Sequence, residues 1–420
     1  MSGNLAQKQK DNIGFNSVQL FLLVVLFFAA MNLFNKYYYL VLAAFCVFLL
    51  CCNRLKLDES SIFLLFLSFN IAMFSPGAHT SVNTILKSFA FTVCYIFGFN
   101  FLNSYNTIKG YRKAEKQLYA IIIIFALGTF VHLLLNLMNN LGSDTRNTVD
   151  IWMNDTMSAT LQATVSCLSL ALFVSIFFTN QNALIKTICV FALLIVFYYT
   201  TIIASRTLIV LFILLVLLCI VFTYKYTKNK IRFAQILFSI AFLVFVFVII
   251  YLLDLFSVQT MFKESNLYKR FFSNDSMGLM EDSRSDAKLR YLNSFGDYFW
   301  GGAHLRKEYG YAHDIFLDTY DDAGILAFFS IIIYVVYTVK RLFTCLRDQT
   351  ISIKLKLMVL CVYFVSYVEF FVEPILLGMA WYFGCFCFID GALARFLKYK
   401  QQSKNNIWLN GENLNESSAN

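Results

Sequence analysis

The sequence predicts an all-α polytopic integral membrane protein with about twelve transmembrane helices and one long extracytoplasmic loop subdomain made of short helices. Three observations carry this reading. Charged residues make up 14% of the 420-residue chain and hydrophobic ones 59%, whereas a soluble domain is nearer a quarter charged. Apolar runs repeatedly reach or approach the roughly 20 residues that a helix needs to cross a bilayer. One polar stretch, from about Asp254 to Asp322, stands between two almost continuously apolar regions.

Residues 1–16 form a polar start on the cytoplasmic side. The first apolar run, Val18 to Phe34, is trailed by Asn32, Asn35 and Lys36 and not by a small-residue cleavage site, so it reads as a first span and not a signal peptide. Nine spans fill 17–253, at about 17–34, 37–52, 61–74, 84–102, 118–137, 158–178, 184–203, 207–224 and 233–253. The loop takes 254–322, and three more spans (323–343, 355–372, 375–397) fill 323–397. Residues 398–420 form a cytoplasmic tail that is Asn- and Ser-rich from Gln401 and reads as disordered.

Lys and Arg mark the cytoplasmic loops. They cluster before the first span (Lys8, Lys10) and after the second (Arg54, Lys56), fourth (Lys109, Arg112, Lys113, Lys116), eighth (Lys225, Lys228, Lys230, Arg232), tenth (Lys340, Arg341, Arg347, Lys354, Lys356) and twelfth (Arg395, Lys398, Lys400, Lys404). This pattern puts the long loop outside, with 138–157 and the turn at 75–79. All four histidines, His79, His132, His304 and His313, then fall at or beyond the outer surface. The net charge of +9 is explained by topology and not by nucleic acid. None of the eleven cysteines lies in the long loop, and no paired C-x-x-C occurs, so neither a disulfide framework nor a structural zinc site is expected. No internal repeat is visible, which weakens an alternating-access transporter.

Several polar residues can carry chemistry. Arg206 stands in TTIIASRTLIVLF, where only four residues separate two apolar runs. It reads either as a snorkelling interfacial arginine or as an anion site facing a cavity, since a guanidinium fork matches phosphate oxygens. In SRSDAKLRYL, Ser283 with Asp286 fits a capping box. Arg284 and Lys288 are then one turn apart, as are Asp286 and Arg290. They form either a solvated, ion-paired helix or a basic face aimed at a phosphate. In AHDIFLDTYDDAGIL, His313 opens a helix at the membrane surface and is able to exchange protons near neutral pH. Asp314, Asp318 and Asp321 share a helical face that reads as solvated, or else as a divalent-cation site that lacks a partner carboxylate cluster. Glu369 and Glu373 end an apolar run before Pro374, as interface residues or as acids that orient an arginine or a sugar hydroxyl.

Together these pieces resemble the bacterial O-antigen polymerase and O-antigen ligase superfamily (Wzy-like and WaaL-like membrane proteins). The matching positions are Ser205-Arg206, Arg290, Gly301-Gly302, His313, Leu317 and Gly324. The departures are Asp314 where an Asn or Ser usually follows the histidine, and adjacent rather than spaced glycines. The resemblance implies a metal-independent, inverting glycosyl transfer at the outer face of the bacterial plasma membrane, with no cofactor. The donor is a glycan on undecaprenyl diphosphate. The acceptor is another lipid-linked repeat unit for a polymerase of O-antigen, capsule or exopolysaccharide, or lipid A-core for a ligase. A lipid-linked oligosaccharide flippase is the rival of another class. The implied roles are a diphosphate clamp for Arg206 and Arg290, and acceptor activation for His313. Arg284, Lys288, Asp314, Tyr311, Glu369 and Glu373 would line the substrate site, and Tyr291, Tyr298, Trp300, Tyr309 and Tyr311 either stack on sugar faces or pack the loop. A chain-length regulator and a flippase are the implied protein partners.

Overall fold

The computed structural model describes the backbone of residues 15–51, 55–75, 82–102, 108–141, 147–152, 154, 156–180, 182–226, 230–272 and 283–417, with side chains through Tyr399 except at a few helix ends. His79, Arg54 and Arg146 lie outside the described residues.

The helices, in chain order, are α1 (Ser17–Ala30), α2 (Tyr37–Cys51), α3 (Glu59–Phe74), α4 (Val82–Phe101), α5 (Ile108–Asn139), α6 (Ala159–Thr179), α7 (Ala183–Ile203), α8 (Arg206–Tyr226) and α9 (Lys230–Leu252). The polar stretch supplies α10 (Val258–Glu264), α11 (Asn266–Phe272), α12 (Ser283–Asn293) and α13 (His304–Tyr309). The chain closes with α14 (Ile315–Arg347), α15 (Ile353–Val372), α16 (Ile375–Gly378) and α17 (Ala380–Ser417). Among the described residues the only strands are Thr148–Val149 and Thr156–Met157, a two-stranded antiparallel ribbon. Among the described residues eight helices are long and apolar enough to cross a membrane, and four shorter apolar ones lie in the first quarter of the chain. The protein is thus all-α and of polytopic membrane type, and each expected apolar run is helical.

Several boundaries differ from expectation, and two of them bear on the loop and the tail. The helix expected at 323 starts at Ile315, because Asp314 caps it by accepting from the N–H groups of Phe316 and Leu317. The last helix continues to Ser417, through the tail expected to be disordered. No proline follows Pro374, and no glycine interrupts the chain between Gly391 and Gly411, so nothing local stops the helix there.

The core is held where backbones meet closely. Gly98 of α4 lies against the Phe388 carbonyl of α17, and Gly391 of α17 lies against the Tyr95 carbonyl of α4. A Cβ at either position would overlap that oxygen, which is the usual reason for small residues between packed membrane helices. A second close approach shapes the loop. α14 is broken at Gly324 (φ 79°, ψ −175°), and Gly301 packs so tightly there that a Cβ would sit 2.6 Å from the Gly324 nitrogen. The groups freed by the break are taken up by the loop. Ile325 N donates to Phe299 O (3.0 Å), Ala303 N to Asp321 O (2.7 Å) and Gly302 N to Asp322 O (3.3 Å). Gly324→Ala would force a positive φ and bring a Cβ to 2.5 Å from Phe299 O. It is expected to destabilise the protein by roughly 1–3 kcal/mol, read as a lowered unfolding midpoint in detergent. An unchanged midpoint would mean that the loop does not need this junction.

Candidate functional site

The site is built on the end of α15. Glu373 is extended (φ −139°, ψ 152°), as a residue before proline prefers, and this leaves the last carbonyls of α15 without helical partners. α12 supplies the missing donors. Arg284 Nη1 donates to Val372 O (3.0 Å) and Lys288 Nζ donates to Phe371 O. Both cations also suit the negative end of the helix dipole. Arg284 Nη2 lies 3.2 Å from Glu373 Oε1. The one-turn spacing of Arg284 and Lys288 therefore marks an inward docking face and not a solvated one. The expected Asp286–Arg290 ion pair is not formed: Asp286 and Arg290 are exposed, and the Arg290 guanidinium lies over the Tyr309 ring at 4.7 Å.

Glu369, one turn earlier on α15, is buried and accepts from Thr164 Oγ1 and from Cys167 Sγ (3.3 Å) of α6. Glu373 is buried as well. On its other side, His313 Nδ1 stands 3.6 Å from Glu373 Oε2. That is beyond a good hydrogen bond but close enough for strong electrostatic attraction once the ring is protonated. His313 has φ 56°, a conformation that a non-glycine residue holds only when its surroundings impose it. The surroundings here are carboxylates. Asp318 accepts from Ala312 N (2.7 Å) and Asp314 N (3.2 Å), so the backbone is pinned on either side of His313.

The aspartate stripe is thus not a solvated face. Asp314, Asp318 and Asp321 are all buried, because each accepts from backbone N–H groups of the loop or of the first turn of α14. Asp321 accepts from Leu305 N and Arg306 N, both at 2.9 Å, and starts α13. Neighbouring Asp322 pairs with Arg306 at 2.7 Å. Burial pushes the Asp314 carboxyl above its ordinary range, and its N–H donors and Lys288, 3.7 Å away, only partly offset this. Among the described residues no group of three or more His, Cys, Asp or Glu is placed to hold a metal ion.

Arg206 opens α8, whose first turn is capped by Ser205 Oγ accepting from Leu208 N (3.3 Å). α8 and α15 run antiparallel. The Lys356 ammonium near the start of α15 lies 5.3 Å from the Tyr226 ring at the end of α8, and the Cys219 and Cys361 sulfurs are 3.5 Å apart midway. Counting upward from those cysteines at about 1.5 Å per residue, Arg206 and Glu373 stand at nearly the same height. The half-buried Arg206 guanidinium has no hydrogen-bond or ion-pair partner among the described residues. The structure therefore gathers Arg284, Lys288, His313, Asp314, Glu369 and Glu373 in one cluster, with Arg206 level with it. Arg290 lies on a different face of α12 from Arg284 and Lys288.

The aromatic residues divide. Tyr291 is fully buried and donates to Gly310 O (2.7 Å), so it is not open to a sugar. Tyr298 stacks on His304 at 4.5 Å, and Arg306 lies over Tyr311 at 5.3 Å. Trp300 remains exposed beside Phe74.

Three features escaped the sequence reading. Thr164 and Cys167 lie in an apolar run and gave no signal. His132 is fully buried and not at a surface; its Nε2 is 2.9 Å from Asp150, which ties the ribbon to α5. At the opposite end of the bundle, Arg341, by sequence a cytoplasmic flanking charge, is largely buried against Asp390 and Ser60, with Asp58 at 3.8 Å. A lone aspartate inside FCFIDGALA was the available signal, because acids within spanning helices require partners. Neither a protein-family model nor a curated protein sequence matches the chain.

Proposed function

We propose that the protein is a polysaccharide polymerase of the plasma membrane. It would transfer a glycan from undecaprenyl diphosphate to the end of another lipid-linked repeat unit at the extracytoplasmic face. The observation that supports this most is the buried Glu373 carboxylate that faces His313, with the Arg206 guanidinium at the same height on another face of α8. A lipid diphosphate already leaves well. What catalysis requires is a fixed diphosphate, stabilisation of its growing charge and a positioned acceptor hydroxyl. Arg206 meets the diphosphate, and Arg290 reaches it from the exposed face of α12. Glu373 faces Nδ1 of His313, which leaves Nε2 for the acceptor hydroxyl. The hydroxyl oxygen attacks the anomeric carbon opposite the diphosphate. Its proton passes to His313, and the bond to the diphosphate oxygen breaks. Glu373 then stabilises the imidazolium, while Arg284 keeps Glu373 in place.

The flippase reading gains one observation, the buried Arg341 and Asp390. That pair is closed on itself by Tyr334 and Tyr363, which donate to Asp390 at 3.1 and 2.6 Å, so it leaves no vacant charge for cargo. The polymerase reading is tested with purified protein in vesicles, supplied with lipid-linked repeat units. A product ladder that survives EDTA is expected. Loss of the ladder with recovery on adding magnesium would require a metal-dependent mechanism.

A further inference from the structure

Helical spacing gives α12 three distinct faces. Arg284, Ala287, Lys288 and Tyr291 turn inward, onto the end of α15 and the loop before α14. Asp286, Arg290 and Asn293 form an exposed polar face. Between the two runs an apolar strip, Leu289 and Leu292, which is nevertheless 58% and 57% exposed. The strip continues into the turn that follows, through Phe295, Phe299 and Trp300, the last of them 57% exposed. A contiguous apolar strip of this kind marks an interaction surface. One side on protein, one polar and one apolar is the arrangement of a helix lying in a bilayer interface.

The neighbours of the strip say what covers it. The Phe295 ring stands 5.3 Å from Phe328, and Phe299 O accepts from Ile325 N. Both partners lie beyond the Gly324 break, on a helix long and apolar enough to span the membrane, where Phe329 is 53% exposed. Trp300 stacks on Phe74, the last residue of α3, at 5.4 Å, and Met73 beside it is exposed. The strip is thus continuous with the apolar outer surfaces of α14 and α3. We infer that α12 and the turn at 293–300 are seated in the bilayer leaflet on the loop side, with Leu289, Leu292, Phe295, Phe299 and Trp300 in lipid. An interface is where tryptophan is enriched in membrane proteins. The consequence is positional. Arg284 and Lys288, on the inward side of the same helix, hold the end of α15, so the cluster around Glu373 stands at headgroup level. The loop is then a membrane-bound element and not a lid free in water. The assignment holds whatever reaction the cluster performs.

The test uses the full chain in phosphatidylcholine vesicles. Leu289→Cys, Leu292→Cys and Asp286→Cys are each treated with a membrane-impermeant maleimide. Labelling is read peptide by peptide by mass spectrometry, so the native cysteines do not interfere. Each variant is used only if its unfolding midpoint stays at the wild-type value, the expected outcome at exposed positions. The two leucine positions should react at least tenfold more slowly than Asp286→Cys, because a thiol in hydrocarbon is out of reach and poorly ionised. All three should react alike in sodium dodecyl sulfate. In vesicles of phosphatidylcholine brominated on its acyl chains, quenching of tryptophan emission should fall on Trp300→Phe. Equal labelling of all three cysteines in vesicles would overturn the assignment, as would quenching unchanged by Trp300→Phe. Leucine positions that react freely in purified vesicles but are protected in native membranes would mean that a partner protein covers the strip, and the lipid assignment would fail. Glycan transfer enters none of these measurements, so a failed polymerase reading leaves the result intact.

Discussion

Asp390→Ala is expected to be among the most destabilising single substitutions in this protein, by about 3–5 kcal/mol. Asp390 is fully buried in α17. It accepts from Arg341 and from the hydroxyls of Tyr334 and Tyr363. Removing it strands a largely buried guanidinium, whose remaining carboxylate, Asp58 at 3.8 Å, is already engaged by Tyr95 at 2.7 Å. The cost comes mainly from the uncompensated charge and not from the pair's own attraction. Replacing both members, Arg341→Met with Asp390→Leu, should therefore recover most of the loss. Unfolding midpoints in detergent decide the matter. A wild-type midpoint for Asp390→Ala would show that the pair is solvated in the working protein.

The largest expected effect on activity is at Arg206 and His313. Arg206→Ala should lower polymerisation by about 10²–10³-fold, the range for removing a donor to developing charge. Arg206→Lys should be nearly as damaging, because an ammonium loses the fork. His313→Ala should lower it by about 10²–10⁴-fold while leaving lipid donor binding near wild type. Arg290→Ala should cost less than Arg206→Ala, since Arg290 is exposed and already lies against Tyr309. Membrane abundance must be measured with product, because His313 sits in a strained loop. Normal ladders at normal abundance in all of these variants would remove the residues from the mechanism.

Much of the architecture was legible because bilayer thickness imposes it: long apolar runs have few alternatives to helix. Individual residues were legible where the sequence forced an anomaly, such as an arginine between two apolar runs, adjacent glycines or a glutamate before a proline. The direction in which polar side chains face was not legible. Spacing placed Arg284, Lys288 and the aspartates on shared faces, but both faces turned inward. Their partners are backbone groups at the end of α15 and in the loop before α14, and backbone groups carry no sequence signature. The burial of Arg341 was hidden for a related reason. A cation near a helix end reads as a topology marker unless its partner, here Asp390 some fifty residues later, is considered with it.

Whether the protein joins lipid-linked repeat units, as proposed, is read from the lipid-linked glycan profile of a deletion strain. Single repeat units with no ladder are expected, with the ladder restored by the wild-type gene and not by Arg206→Ala expressed at the same level. A full ladder accumulating on undecaprenyl diphosphate would contradict the proposal and indicate ligation instead.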